Sequence, residues 1–280
     1  MLDFDQCFSK IKSIKTKSYC LIIGGQGANK ARSPKIWNRI LKKNKIDCKM
    51  IPLEVQKKHL KKLLEYLKKD SKFLGGAVAV PYKENVYNYL GNEVDIFTKK
   101  IGSVNCLFKE KKLKGLNTDG IGFFETLKKN KINKNLKNIL LLGYGGVGKA
   151  ALVFLKKYFS NKTTIYCATR KNLSNKIKNA GCKWIQWNKK NYNLSKCNMI
   201  VNSTSLGFGK MKKKIPCSIK ENSETSIVYD IIYNPRKTLL IKKSQKMGIK
   251  TINGLDMNLL QAQFAIKKVF KNKIKVSSFN

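Results

Sequence analysis

The stretch "NILLLGYGGVGKAALVF", Asn138 to Phe154, decides how this chain is read. Ile139 to Leu142 form an unbroken apolar run, as in a parallel strand covered on both faces. A glycine-rich turn follows, Gly143-Tyr144-Gly145-Gly146-Val147-Gly148, and then a helical run from Lys149. The spacing is G-x-G-x-x-G in a strand–turn–helix context. Gly143 allows the tight turn, Gly145 lets backbone approach a pyrophosphate at the helix N-terminus, and Gly148 lets helix pack on strand. The reading is a dinucleotide site with Gly143, Gly145, Gly146 and Gly148 as candidate cofactor contacts; the alternative is a glycine turn that serves packing alone.

A second strand of such a unit should end about 20 residues on. There the chain reads Ala168-Thr169-Arg170-Lys171. A carboxylate would accept from the ribose 2′-hydroxyl of NAD, and none is present. A guanidinium grips a 2′-phosphate with two prongs, and an adjacent ammonium adds charge. Thr169, Arg170 and Lys171 therefore point to NADP rather than NAD. Arg170 as an ordinary surface cation is the competing reading; against it, the chain has four arginines among 59 basic residues.

Outward from this unit, strand-like and helical runs alternate, an α/β signature. "SYCLIIGG", "CKMIPLEV" and "GGAVAVP" read as strands. "SPKIWNRILKKN" reads as a helix with Ser33 as N-cap and Pro34 first in the helix. "IGSVNCLFKEKKLKGLNTDG" reads as a hairpin with a charged turn. "TTIYCAT", "MIVNSTS" and "SIVYDIIY" are further strands, and "TLLIKKSQKMG" and "NLLQAQFAIKKVFKN" close the chain as helices. The expected organisation is an α/β substrate-binding and catalytic domain over residues 1–119 and a Rossmann-type dinucleotide domain over 120–236. Residues 237–280 form C-terminal helices returning to the first domain.

Composition narrows the function classes. The chain has 280 residues, 42% hydrophobic, with a formal net charge of +43. The basic residues are mostly lysines spread along the chain beside many asparagines and isoleucines, as an AT-rich coding sequence would give. Base readout favours arginine and a localised patch, so no specific nucleic-acid partner is expected. No apolar run is long enough to cross a membrane, and the N-terminus shows no apolar signal core. Eight cysteines without a CxxC pair read as reduced thiols, which places the protein in the cytoplasm. His59, the one histidine, lies in a lysine-rich amphipathic run and reads as a surface residue. Histidine-based metal sites and Ser-His-Asp chemistry are thereby excluded, and no metal is expected. Proton transfer is left to Lys, Asp, Tyr or Cys.

Two residues in the first half end polar motifs. Lys83 follows "AVAVPY", and Asp119 follows "KGLNT". Such a pair would hold the proton of an alcohol whose carbon gives or takes a hydride; a structural salt bridge is the other reading.

These residues, with others in order along the chain, resemble shikimate dehydrogenase, including its quinate/shikimate relatives. "VPYK" with Lys83 looks like the catalytic-lysine motif, "IGSVNCL" like IGAVNTL, and "LNTDGIGF" like NTDGxGF. "VNSTSLG" resembles NATSxG, "DIIYNPRKTLL" resembles DxxYxPxxTxL, and "NGLDMNLLQAQ" resembles GxxMLxxQA. The resemblance implies reversible NADPH-dependent reduction of 3-dehydroshikimate to shikimate, on the way to aromatic amino acids. It implies Lys83 and Asp119 as the catalytic pair and Ser33, Asn105, Tyr233 and Gln261 at the substrate. It also adds Gly254 to the cofactor contacts. It leaves the protein a monomer or a homodimer.

The departures cluster. HSxSP becomes Lys30-Ala31-Arg32-Ser33-Pro34, and NVTxPxK becomes Ala77-Val78-Ala79-Val80-Pro81-Tyr82-Lys83. In the resemblance these hydroxyls hold the substrate carboxylate, and a hydrogen bond to a charged group is worth about 1.5–3 kcal/mol. Lys30 or Arg32 would restore charge; otherwise the substrate is quinate or another cyclic hydroxy acid. From a different class, a non-catalytic basic protein holding nucleotide or nucleic acid would show its lysines gathered in one stripe.

Overall fold

Strand β1 (Ser18–Gly24) sets the frame of the first half. Its side chains alternate: Tyr19, Leu21 and Ile23 enter one apolar cluster, and Cys20 and Ile22 enter another. Period-two alternation sends neighbours to opposite faces, so both faces need a cover. In this computed structural model, which describes residues 3–220, 223–271 and 274, helices supply it. Helix α1 (Phe4–Lys12) brings Phe4, Cys7 and Ile11 to the first cluster, and α2 (Ser33–Lys43) brings Trp37, Ile40 and Leu41 to the second. Helix α3 (Leu60–Lys69) adds Leu60, Leu63, Leu64 and Leu67 to the first, an i, i+3, i+4, i+7 stripe. Each such leucine contributes about 1.5–3 kcal/mol of burial.

The sheet is completed by β2 (Cys48–Glu54), β3 (Phe73–Val78), β4 (Cys106–Lys109) and β5 (Leu113–Leu116) in the order β2-β1-β3-β4-β5. β2 and β3 run parallel to β1; β4 is antiparallel to β3, and β5 turns back antiparallel to β4, as the predicted hairpin. Short helices α4 (Lys83–Leu90) and α5 (Ile96–Ile101) lie between β3 and β4. At the start of β3 the register with β1 slips by one residue. Gly75 and Gly76 follow the slip with φ of 146° each, and a Cβ on Gly76 would run into the Leu21 carbonyl. Only glycine fits there.

The chain divides into two compact units. One holds the described residues up to Thr118 with those from Gln261 onward, and the other holds Asp119–Leu260. The predicted return of 237–280 is therefore narrower than expected. Residues 237–260 belong to the second unit, because β11 (Lys250–Asn253) pairs with β10 (Ile227–Asp230) and α10 (Leu239–Lys246) packs in that unit's core. Residues 272, 273 and 275–280 lie outside the described residues.

The second unit begins with α6 (Thr118–Lys129), whose first residue still belongs to the first unit. Its sheet is parallel throughout: β6 (Asn138–Leu142), β7 (Thr164–Thr169), β8 (Lys183–Gln186), β9 (Met199–Asn202), β10 and β11 stand in the order β11-β10-β9-β6-β7-β8. That is the doubly wound order, with its switch between β6 and β9. Leu140 and Leu142 share an apolar cluster with Ile200, Val228 and Leu240, while Ile139 and Leu141, alternating with them, are equally buried. Helix α7 (Gly146–Tyr158) follows β6, then α8 (Ser174–Asn179) and α9 (Lys190–Leu194); α11 (Leu255–Val269) begins in this unit and from Gln261 belongs to the first.

Three local expectations are corrected. Ser33 is not the N-cap of α2 but its first residue; Arg32 holds the cap position without a side-chain cap bond. The "GGAVAVP" strand ends at Val78, because the chain turns after it, Tyr82 N donating back to Ala79 O at 3.1 Å. His59 is half-buried, in a one-turn 3-10 segment beside Phe4, with ring centroids 6.1 Å apart.

Candidate active site

The glycine turn after β6 sits at the switch point. Gly143 has φ of 97°, and its N donates to Ala168 O of β7 at 2.9 Å. Gly145 is the N-cap of α7, and Gly146 is the helix's first residue. A Cβ on Gly148 would lie 2.5 Å from the Gly143 carbonyl and 2.8 Å from Ser203 Oγ, so the helix closes tightly on the turn. A Cβ on Gly145 would meet nothing within 4 Å; the space ahead of the helix N-terminus is open. That space belongs to a cavity of about 420 Å³ lined by Gly143, Gly145, Thr169, Arg170, Lys171 and Ser203 among others. First-turn N–H groups, open room before them and two adjacent cations fit a phosphorylated dinucleotide.

Thr169 serves this cavity differently from Arg170. Its Oγ1 accepts from Trp184 Nε1 at 2.8 Å and donates to Lys171 O at 2.7 Å. The hydroxyl hydrogen is spent, so Thr169 fixes the Arg170–Lys171 turn and offers a ligand no donor. Tyr144 also lines the cavity, its phenol pushed up chiefly by burial. The Cys167 thiol behind it is pushed up to about 12 by burial and is inert. Gly254 is not among the residues that line this cavity; it stands at the β11–α11 junction, where the Ile231 carbonyl leaves no room for a Cβ.

One motif named for its resemblance, but given no site residue, also reaches the cavity. "VNSTSLG" supplies Ser203, Thr204 and Leu206 to the lining. Ser203 Oγ lies 2.8 Å from Leu142 O and 3.1 Å from Gly143 O, its hydrogen shared between the two carbonyls at the end of β6.

In the first unit, Lys83 opens α4 and is half-buried. The turn before it is pinned by Tyr82, whose buried phenol donates to Val55 O at 2.5 Å. Val104 N donates to Lys83 O at 2.9 Å, which sets Lys83 beside the Val104–Asn105 segment. Asn105 is buried, and its Oδ1 accepts from Thr118 N at 2.6 Å and Thr118 Oγ1 at 3.1 Å. With Oδ1 engaged, the amide NH₂ is the end available to a ligand oxygen. Thr118 Oγ1 also lies 2.9 Å from Gln261 Oε1. Thus the fold gathers Lys83, Asn105 and Gln261, with Thr118 as the link that sequence reasoning did not name. Ser33 stands apart from these bonds, at the start of α2. Ala31, Ala77 and Ala79 all pack against one apolar cluster, the one that contains Ile22 and Trp37.

Asp119 lies in the first turn of α6, where a helix N-terminus favours negative charge. It belongs to the second unit, as does Tyr233 in the loop between β10 and α10.

Comparison with known proteins agrees with this geometry. The sequence pattern of the shikimate dehydrogenase substrate binding domain matches residues 23–107. The shikimate dehydrogenase (NADP(+)) of Carboxydothermus hydrogenoformans is 33% identical over 246 residues, spanning 84% of this chain and 86% of that one. The crystal structure of a chorismate mutase/shikimate 5-dehydrogenase fusion protein from Clostridium acetobutylicum matches with a TM-score of 0.80 and 30% identity, over 94% of this chain and 93% of that one. A shikimate dehydrogenase solved in complex with NADP+ matches with a TM-score of 0.79 and 26% identity, over 91% and 90% of the two chains. With a relative of this identity matched along most of its length, the chain belongs to the shikimate dehydrogenase family.

Proposed function

We propose that this protein is an NADP-dependent shikimate dehydrogenase that interconverts 3-dehydroshikimate and shikimate. Family membership carries the reaction class. The cavity at the β6/β9 switch point, with Arg170 and Lys171 on its wall, supports a dinucleotide bearing a 2′-phosphate. The bound dinucleotide supplies or accepts the hydride. Residues of this chain handle the rest. The Asn105 amide donates to a substrate hydroxyl, and Gln261 holds a second. Lys83 donates a proton to the carbonyl oxygen as it becomes an alcohol, and removes it in the reverse direction. The resemblance gives Asp119 the other catalytic role. The resemblance gives Ser33 and Tyr233 substrate roles as well.

A second reading is favoured by one observation. Ala31, Ala77 and Ala79 pack against one apolar cluster, in the two motifs where the resemblance implies hydroxyl donors to a carboxylate. A cyclic hydroxy acid anchored otherwise, quinate among them, fits those motifs equally. The deciding assay is reduction of NADP+ and of NAD+ against shikimate, quinate and related acids. Turnover of shikimate with NADP+ is the expected result; turnover of another acid alone would overturn the substrate and leave the reaction class. Eight buried cysteine thiols support a cytoplasmic setting, and among the described residues no helix is long and apolar enough to cross a membrane. A monomer or a homodimer would serve this chemistry.

A further inference from the structure

Asn202 and Asp230 are the last residues of the neighbouring strands β9 and β10 and stand opposite each other in register. Both are wholly buried. Asp230 Oδ1 accepts from Asn202 Nδ2 at 3.0 Å and from Ile232 N at 3.2 Å; Oδ2 accepts from Thr238 Oγ1 at 2.6 Å. The second Asn202 amide hydrogen reaches Leu206 O at 3.2 Å. Asn202 Oδ1 accepts from Thr204 N at 3.0 Å and Thr204 Oγ1 at 2.7 Å, and Thr204 Oγ1 in turn accepts from Leu206 N at 3.1 Å. An asparagine side chain offers two donor hydrogens and two acceptor lone pairs. All four are used, so the amide has one orientation and the 202–206 turn is wrapped around it. That turn lies against the glycine loop: a Cβ on Gly143 would stand 3.0 Å from Thr204 Cγ2 and 3.1 Å from Ser203 Oγ.

We propose that Asp230 is a positioning residue of the dinucleotide site. It fixes the Asn202 amide, the amide fixes the 203–206 turn, and the turn fixes the cavity wall against Gly143. Without the carboxylate, Asn202 loses the acceptor that defines its orientation, and the wall loosens. The inference rests on the second unit binding a dinucleotide, and not on which acid is oxidised.

The test is NADP+ affinity, by calorimetry or tryptophan fluorescence, with thermal melting of each variant. D230L should raise Kd about tenfold, the effect of orphaning one buried donor. D230N should stay within about twofold of the parent, since its amide oxygen accepts from Asn202 and Ile232 N and the Thr238 hydroxyl turns to accept. N202L should match D230L, and the double variant should add nothing, as residues acting through one another do. T238V should lower the melting temperature without moving Kd, because its bond is to Oδ2 and leads away from the cavity. If D230L does not fold, N202L carries the test, because it leaves Asp230 two of its three donors. A folded D230L or N202L with parental Kd would overturn the proposal, and so would a T238V that weakens NADP+ as much as D230L does. A parent that binds NADP+ without oxidising shikimate would overturn the substrate reading alone.

Discussion

The two units treat their ligands differently. In the second, the motif positions stand around one cavity, and the polar side chains behind it are satisfied by one another: Ser203 by β6 carbonyls, Thr169 by Trp184 and Lys171, Asn202 by Asp230 and Thr204. In the first, the polar chain Asn105–Thr118–Gln261 is kept, with Lys83 beside the Val104–Asn105 segment, while Ala31, Ala77 and Ala79 pack against an apolar cluster. The contrast teaches that this chain holds the means of reaction and of cofactor binding more closely to the family pattern than the means of anchoring an acid. Variants that separate the two should move different constants.

The largest effect belongs to Lys83. K83A should lower kcat by about 10² or more, the usual worth of a positioned acid/base, with NADP+ affinity unchanged. Steady-state kinetics beside a binding titration checks both halves. Full activity would remove Lys83 from the reaction and erase the distinction between the two sets of residues in the first unit. Next comes Arg170. R170S should reduce kcat/KM with NADP+ by about tenfold or more, the cost of two charge-assisted hydrogen bonds, and leave the value with NAD+ nearly unchanged. Equal losses with both cofactors would place Arg170 outside 2′-phosphate recognition.

What could be read from the sequence follows from burial. The central strands of the second sheet are apolar on both faces and announced themselves. Its two edge strands did not, because β8 buries only Ile185 and β11 only Ile252. An edge strand faces solvent and carries little hydrophobic pattern. Helix α1 did carry a signal, with Asp3 capping Gln6 N and Phe4, Cys7 and Ile11 on one stripe, but it is short. The glycine turn, Arg170 and Lys83 were legible because few residue types serve their purposes. Asn202, Asp230 and Thr118 were not. A polar residue at a strand end is usually solvated, and only the register of β9 with β10 shows this pair to be buried and facing.

The alanines invite a gain of function. Ala79 is half-buried, on the segment that follows β3 and continues its bonding to β1 through Ala79 N to Ile23 O at 2.8 Å. A79T restores one hydroxyl. If the acid is anchored there, KM for shikimate should fall by up to about tenfold, one hydrogen bond to a charged group, and kcat should hold. An unchanged KM would mean that the carboxylate is gripped elsewhere, and Arg32 and Lys30 become the residues to vary.

The smallest effect tests how the second unit keeps its order. Burial pushes the Asp230 carboxyl above its ordinary value of 3.8, opposed by the hydrogen bonds from Thr238, Ile232 N and Asn202. Its folded value then exceeds its unfolded one, so the native state binds more protons in the window that opens just below pH 4 and runs up to the folded value. Stability from this group is greatest below that window and is lost as pH rises through it. D230N has no such titration. The stability of D230N relative to the parent should therefore climb across the window and level off above it, as read from urea midpoints at a series of pH values. A flat difference would mean that the three donors cancel burial, and a falling one that they outweigh it and that charge holds this corner. A climbing difference with NADP+ affinity intact would mean that hydrogen-bond geometry, rather than the charge on Asp230, keeps the cofactor wall in place.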